Sequence, residues 1–431
     1  MKPTRGRLAT LISAGLAAVM GAPATAQTST PSTPGIDGDL PWYIGVGQGF
    51  FHDTNVYRVP DGSGDTYSST TLFGGFDQRL GRQRLHGSGS VALNRYFDEK
   101  PLDNTSYDFD LGLDWETVYS LSGSVNAGIR EHLAYPAPTS GLPNQTKNLG
   151  LTKWAGAQAR WGGTSLFTIE GTAHYSSIEY SDEAYASRES ETASGGLAVY
   201  YGGGGPLRVG LGGRYERTET PKAGFDPLVP EFLSNTATGR NVDLFLDYDL
   251  TGQLKANLRL SYTDRKNSLV KASDFKGWTG RLASIWQATG KVAISAYASR
   301  DTGSDSGFGS VTFVPPGSPP GTPPVTRLYD NNRLTHAFDL GAAYSATAKI
   351  SVAVGAHYTR AELVSTSPDL LTPVDTTDRQ RLFYLGADYA FLRNGVASCR
   401  IARELRDVSP GTPYSYSSTL FGCHARLVYR S

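Results

Sequence analysis

The chain has 431 residues, among them 50 Gly, 24 Tyr, two Met and two Cys, and its 40 basic and 40 acidic side chains cancel to a net charge of zero. A neutral chain lacks the basic surface that attracts nucleic acid, so we expect no nucleic-acid partner. Beyond the N-terminal segment, no apolar run is long enough for a transmembrane helix. The many Gly and Tyr residues instead suit β-structure with tight packing and many turns.

The N-terminal segment has the three parts of a secretory signal. Its basic start, apolar run and small-residue cleavage site are Lys2–Arg7, Leu8–Met20 and Ala24–Ala26. The apolar run is too short to span a bilayer as a helix. We therefore expect a signal peptide over residues 1–26 and a polar periplasmic linker, rich in Thr, Pro, Ser and Gly, over 27–41.

From residue 42 to the end, segments of alternating apolar and polar residues follow one another. The clearest is Tyr107–Glu116, in which every odd position is apolar and every even position is acidic or Gly. Because side chains of a strand point alternately to opposite faces, this segment has one apolar face and one acidic face. The repetition of this pattern is typical of strands that face lipid on one side of a barrel.

Eighteen strand segments can be placed in chain order. They lie near 42–57, 66–80, 83–97, 107–116, 121–130, 147–161, 165–180, 187–201, 206–219, 238–250, 253–267, 273–287, 291–302, 331–346, 349–363, 378–392, 395–407 and 414–431. Connections after even-numbered segments are short turns, whereas those after odd-numbered segments are mostly longer, such as 220–237, 302–330 and 364–377.

This alternation of connections puts all short turns at one end of the sheet, which is the pattern of outer-membrane barrels. We therefore predict an all-β fold in which residues 42–431 form a single transmembrane antiparallel up-and-down β-barrel. The predicted strand number is 18, with 16 as the alternative. The predicted location is the outer membrane of a Gram-negative bacterium, with outer-membrane lipid as a partner.

The two cysteines, Cys399 and Cys423, fall opposite each other if the last two strands form a hairpin that turns near Pro410-Gly411. The oxidising periplasm permits a disulfide between them. Cross-strand geometry is tight for such a bond, so two free thiols are the alternative. We expect a structural disulfide without a redox role.

Charged residues in the inward register form acidic and basic rows that are predicted to line the lumen. They are Asp108, Asp110, Asp114, Arg208, Arg214, Asp243, Asp247, Lys255 and Arg259. Opposite charges on adjacent strands can pair side by side. The rows therefore either guide a solute or only solvate the wall and hold its shape.

Inward aromatic residues are scattered along the chain. They are Tyr96, Trp154, Tyr200, Phe245, Tyr297 and Tyr384. Their faces could stack on sugar rings, although a few aromatic residues are ordinary in a large barrel. The sequence contains neither a Gly-x-Ser-x-Gly elbow nor a His-x-x-x-His pair, so we expect no enzyme, no metal site and no cofactor.

The end of the first strand resembles the opening of a known protein family. The residues that carry the resemblance are Asp53, Asn55, Val56, Tyr57 and Arg58, followed by Asp65, Tyr67 and the stretch Arg82–Leu85. The family consists of outer-membrane β-barrel porins that are often associated with exopolysaccharide or capsule export loci. The resemblance is best over about the first hundred residues. It implies a barrel and, less specifically, polysaccharide export.

Three functions agree with these features. The first is a passive pore for export of an exopolysaccharide, which periplasmic export components would deliver to a lumen wide enough for an aqueous channel. The second is a diffusion porin for small solutes, which a constricting inward loop would favour. The third is a closed structural or scaffold barrel, which a lumen packed shut by Arg–Asp ladders would favour.

Overall fold

The structure, a computed structural model, describes residues 42–134, 146–163, 165–202, 205–226, 231–250, 252–269, 271, 274–302, 310–313, 325–328, 332–365, 374–408 and 415–430. The expected signal peptide and linker, 1–41, lie outside the described residues. Among the described residues no helix is long and apolar enough to cross a membrane.

The described residues form twenty strands along the chain. The first ten are β1 Trp42–Asp53, β2 Asp65–Leu80, β3 Gln83–Tyr96, β4 Asn104–Glu116, β5 Leu121–Leu133, β6 Leu149–Trp161, β7 Phe167–Tyr180, β8 Ser190–Tyr201, β9 Leu207–Asp226 and β10 Glu231–Leu250. The others are β11 Leu254–Asn267, β12 Phe275–Gln287, β13 Val292–Asp301, β14 Ser310–Phe313, β15 Val325–Leu328, β16 Asn332–Ser345, β17 Ile350–Ser365, β18 Val374–Leu392, β19 Gly395–Val408 and β20 Tyr416–Arg430. The described connections also contain the short 3-10 helices Lys100–Leu102 and Glu183–Arg188.

Eighteen of these strands form one closed antiparallel barrel, which confirms the predicted fold and strand number. Each barrel strand pairs with its neighbours in chain order, and β13 pairs with β16 across the separate hairpin of β14 and β15. The first strand pairs with both β2 and β20, which closes the ring. Closure leaves no barrel strand with an unpaired edge, as a lipid surrounding requires.

The short connections gather at one end of the barrel, as the sequence predicts. Several of them turn at glycines with positive φ, such as Gly81 at 65° and Gly252 at 69°, a conformation that glycine adopts without steric cost. We call this end, where β1 begins and β20 ends, the turn end. The opposite end, with the longer connections, is the loop end.

Several predicted boundaries are wrong. The first strand ends at Asp53 and not near residue 57, because the chain then turns to the inside of the barrel. The predicted loop 220–237 is largely strand, since β9 continues to residue 226 and β10 begins at 231. A register shift between Leu233 and Asn235 lies opposite Pro221, whose missing N–H interrupts regular pairing. The predicted loop 302–330 contains the β14–β15 hairpin.

The two faces of the barrel differ in polarity. Large apolar side chains in the outward register are half or more exposed, including Phe50, Leu72, Leu111, Leu197, Val242 and Leu340. The inward register carries small and polar residues such as Thr71, Asn94, Asn241 and Ser261, all buried. A wall that is apolar outside and polar inside has the polarity of a barrel that separates lipid from an aqueous lumen.

Candidate functional site

The inward wall of β9, β10 and β11 is joined by charged hydrogen bonds. Asp247 lies directly between Arg208 on β9 and Asn257 on β11 in the strand register. The Asp247 carboxylate accepts a hydrogen bond of 2.6 Å from Arg208 Nη2 and one of 2.8 Å from Asn257 Nδ2. The strand register alone therefore places the positive charge of Arg208 beside Asp247, and no loop residue is needed.

A second cluster lies nearer the loop end of the same strands. Arg214 Nε lies 3.4 Å from Asp243 Oδ2, and Arg214 Nη1 lies 3.3 Å from Glu216 Oε2. The Asp243 carboxylate also accepts a hydrogen bond from Ser261 on β11. Both acidic groups are at most 5% exposed, so Arg214 compensates charges that would otherwise be costly to bury.

Two other predicted lumen residues of this sector differ in their surroundings. Arg259 faces Phe245 on one side and Arg281 on the other in the register, and all three side chains are inward. Lys255 lies at the turn end, where its Nζ is 3.3 Å from Asp249 Oδ2 and both side chains are more than half exposed. An exposed pair of this kind contributes little to stability.

The acidic row of β4 is distributed over separate partners. Asp108 accepts a hydrogen bond of 2.6 Å from Arg130 Nε on β5. Asp114 lies 3.6 Å from Arg84 Nη1 and 3.5 Å from His86 Nε2, both on β3. Asp110 stands between them, opposite Gly128 in the register. Asp108 and Asp114 of the predicted acidic face are thus in cross-strand pairs, whereas Asp110 is not.

Two inward aromatic rings lie flat against glycines on the neighbouring strand. A Cβ atom on Gly210 would lie 2.5 Å from the ring of its register partner Tyr200, and one on Gly128 would lie 2.1 Å from that of Trp154. The other side of each ring is occupied by a guanidinium group, Arg208 at 4.2 Å from the Tyr200 centroid and Arg130 at 5.3 Å from that of Trp154.

The connection between β1 and β2, residues 54–64, folds into the barrel at the loop end, and we call it the inward loop. The motif residues Asp53, Asn55 and Arg58 anchor it and are 2%, 5% and 4% exposed. Arg58 Nη1 lies 2.8 Å from Asp53 Oδ2, and Arg58 Nε lies 3.1 Å from Glu404 Oε2 on β19. Arg58 has a φ of 57°, so this contact holds a backbone conformation that non-glycine residues rarely adopt.

The motif asparagine closes the inward loop on itself. Asn55 Nδ2 donates to the carbonyl of Val59 at 2.7 Å, and the Val59 N–H donates to Asn55 Oδ1 at 3.2 Å. Asn55 Nδ2 also lies 3.2 Å from the carbonyl oxygen of Ser417 on β20. These bonds satisfy backbone groups that the end of β1 leaves unpaired.

The inward loop packs its apolar side chains against the inner wall. Val56, Tyr57 and Val59 belong to one buried cluster with Phe51, Tyr67 and Tyr96, which line the inner faces of β1, β2 and β3. The rings of Tyr67 and Tyr96 stack with centroids 4.9 Å apart. Together with the Glu404 contact, the inward loop therefore covers the inner wall from β3 round to β19.

The connection between β3 and β4 holds the inward loop from the side of β3. Tyr57 Oη donates to Glu99 Oε2 at 2.9 Å, and Ser63 Oγ donates to Glu99 Oε1 at 2.9 Å. The Asp65 carboxylate accepts the Glu99 N–H at 2.8 Å. Burial and the neighbouring Glu99 and Asp65 raise the pKa of Tyr57 to about 12.

Sequence reasoning singled out the motif residues but missed what they contact. Neither Glu404 nor Glu99 stands out in the sequence, since one is part of a regular alternation and the other lies in a short loop. The Arg58–Glu404 contact connects segments that only the closed barrel brings together, whereas the contact with Glu99 needs only the consecutive pairing of β1, β2 and β3. Asp65 is one of the residues that carry the resemblance to the porin family, but the sequence predicted no role for it.

Cys399 and Cys423 are directly opposite each other in the register of β19 and β20. They form a disulfide with Cα atoms 4.1 Å apart. Both are in the outward register, away from the wall of charged residues. The disulfide therefore belongs to the outer face and not to the candidate channel.

No protein-family model matches the sequence, and no curated protein matches it. The fold is similar to that of the outer membrane protein OpdK from Pseudomonas aeruginosa, with 9% identity and a TM-score of 0.46 over 90% of this chain and 98% of that chain. OpdL from the same organism has 12% identity and a TM-score of 0.43 over 90% and 99%. The siderophore receptor PirA from Acinetobacter baumannii has 7% identity and a TM-score of 0.44 over 90% and 81%. These values are low, and we therefore draw the function from the residues of this chain.

Proposed function

We propose that the chain is a passive diffusion channel for small polar solutes in the outer membrane of a Gram-negative bacterium. The loop end would face the exterior and the turn end the periplasm. Solutes would pass along the inward wall, where charged side chains pair across strands. The apolar outer face and the polar inner face support a membrane location and a hydrated lumen.

The observation that carries this proposal is the position of the inward loop. It occupies part of the lumen at the loop end and is held there by Arg58, which bridges Asp53 and Glu404. A segment fixed inside the barrel reduces the cross-section that a solute must cross. Such a constriction suits a channel that selects by size and charge, and it obstructs the threading of a long polymer.

The inward aromatic residues give little support to polysaccharide export. A glycan path would need exposed ring faces, on which sugar rings stack. The rings of Tyr200 and Trp154 instead lie between a glycine and a guanidinium group. The resemblance of the first strand to porins of export loci remains the basis for that second function.

The two functions predict different permeation. We would reconstitute the purified barrel in liposomes and measure swelling with neutral sugars of increasing size, and in parallel record conductance in a planar bilayer. A diffusion channel passes monosaccharides and disaccharides and excludes long oligosaccharides. Blockage of the conductance by long glycans added on the periplasmic side would instead support export. A folded barrel without conductance would contradict both and support a structural role.

A further inference from the structure

The outer face of the barrel near the loop end carries a row of cationic and titratable side chains on four neighbouring strands. Arg300 on β13 is directly opposite His336 on β16, His336 is opposite Arg360 on β17, and Arg360 is opposite Arg379 on β18. All four are in the outward register. We call these four residues the outer cation row.

Like charges directly opposite each other on adjacent strands destabilise a sheet unless an anion compensates them. Two other outward arginines have a carboxylate partner, because Arg217 pairs with Glu219 and Arg381 with Asp407. Among the described residues, no carboxylate lies within ion-pair distance of Arg300, Arg360 or Arg379. The carboxylate of Glu362, two residues from Arg360 on β17, acts electrostatically on His336. Three arginines beside this carboxylate leave the row with an excess of positive charge.

A groove of about 350 Å³ adjoins one end of the row. Its lining includes Arg300, Lys276, Phe275 and Leu334 together with the carboxylates of Asp274 and Glu362. The Asp274 carboxylate already accepts hydrogen bonds from the backbone N–H and the side-chain amide of Asn267. The groove thus carries two cations and two carboxylates, so the excess of positive charge lies along the row and not in the groove.

Aromatic residues fix the level of the row relative to a bilayer. Phe338 and Tyr358 are register partners whose ring centroids lie 6.3 Å apart, and each is two residues toward the turn end from His336 or Arg360. Outward aromatic girdles of barrels lie at the membrane interface. Two residues of strand span about 7 Å, so the row lies at the level of the lipid headgroups.

We propose that the outer cation row binds a phosphorylated headgroup of an outer-leaflet lipid. Guanidinium groups match the oxygens of phosphate in geometry and charge. This proposal rests on the outer-membrane location proposed above and is independent of what passes through the lumen.

The test uses the full barrel, refolded from denaturant in a zwitterionic detergent so that it carries no native lipid. Native mass spectrometry would measure binding of bis-phosphorylated lipid A, of the same lipid without its phosphates, and of inorganic phosphate. The variants are Arg300→Gln with Arg360→Gln, the single change Arg360→Gln, and the matched control Arg217→Gln. Heat-modifiable electrophoretic mobility would establish that each variant is folded.

We expect wild type and Arg217→Gln to bind lipid A with equal affinity and the double variant to bind it about thirtyfold more weakly, as two lost interfacial charges predict. The affinity of the single variant for lipid A should lie between those of wild type and the double variant. If the double variant does not fold, the single variant alone decides the outcome. Equal binding by Arg360→Gln and wild type would overturn the proposal.

Two further outcomes would also overturn it. If the lipid without phosphates binds as well as lipid A, the row does not recognise phosphate. If inorganic phosphate binds as tightly as lipid A, the site serves a soluble anion. Conductance of the same preparation separates the two proposals, because a barrel that binds lipid A without conducting ions contradicts the channel and leaves the lipid site intact.

Discussion

Arg58 Nη1 lies 2.8 Å from Asp53 Oδ2, and this ion pair fastens the inward loop to the strand that leads into it. Both side chains are at most 5% exposed. Removing one member of a buried pair typically costs about 3–5 kcal/mol, because the other charge is left uncompensated in a poorly solvated place. The position of the inward loop should therefore depend on this pair.

The change Asp53→Asn is expected to loosen the inward loop. Arg58 would keep Glu404 as its partner but would lose the contact that draws it toward β1. The loop would then leave the lumen more often, and single-channel recordings should show a larger mean conductance with frequent transitions. Asp61→Asn is the matched control, since Asp61 lies in the same loop and is exposed. If both variants conduct like wild type, the loop does not constrict the channel.

The alkaline behaviour of Tyr57 gives a second test of the same loop. Burial and the carboxylates of Glu99 and Asp65 raise its pKa to about 12, whereas an unfolded tyrosine titrates near 10. A raised pKa contributes stability that is complete below pH 10 and is lost as the pH rises to 12.

The difference between the 295 nm titration curves of wild type and Tyr57→Phe isolates this one residue, and we expect its midpoint near pH 12. The same difference taken for Tyr119, an exposed turn residue, serves as the control. A midpoint for Tyr57 near pH 10 would mean that the inward loop is open in solution.

Much of the fold follows from the sequence because a barrel strand is specified locally. The alternation in Tyr107–Glu116 fixes which side chains face out, and the short turn at Gly81 fixes the neighbouring pair. The same local pattern misleads at Asn55-Val56-Tyr57, which alternates as a strand would. There the chain turns inward because Arg58 meets Glu404, a residue 346 positions away in sequence.

The candidate site, too, could be predicted from the sequence only in part. Register alone brings Arg208 beside Asp247, so the charged rows of the wall could be predicted strand by strand. Whether the face of an aromatic ring is open to a solute could not be predicted from the sequence. It depends on a glycine on a neighbouring strand and on a guanidinium group that lies over the ring. Tyr200 between Gly210 and Arg208 is the example that decides against a free stacking surface.

The disulfide on the outer face gives a prediction about stability. Cys399 and Cys423 are 24 residues apart, and a bridge that closes a loop of this size typically contributes about 3 kcal/mol. Protein purified from the envelope, then unfolded and refolded with or without reductant, should differ by about this free energy of unfolding in urea. The variant Cys399→Ala with Cys423→Ala should not respond to reductant. Alkylation of both cysteines in unreduced, denatured protein would contradict the bridge.

Charge in the lumen should set ion selectivity, and Asp247→Asn tests this most directly. The change removes the partner of Arg208 while keeping a side chain of the same size that can still hydrogen-bond. The wall near Arg208 then gains one net positive charge, so the reversal potential in a salt gradient should shift toward anions. One unit charge about 10 Å away in water changes the permeability of each ion about twofold, in opposite directions for anion and cation, and therefore their ratio about fourfold. Glu219→Gln removes a carboxylate that pairs with Arg217 on the outer face, and it should leave the reversal potential unchanged. Equal reversal potentials for the two variants would show that ions do not pass beside Arg208.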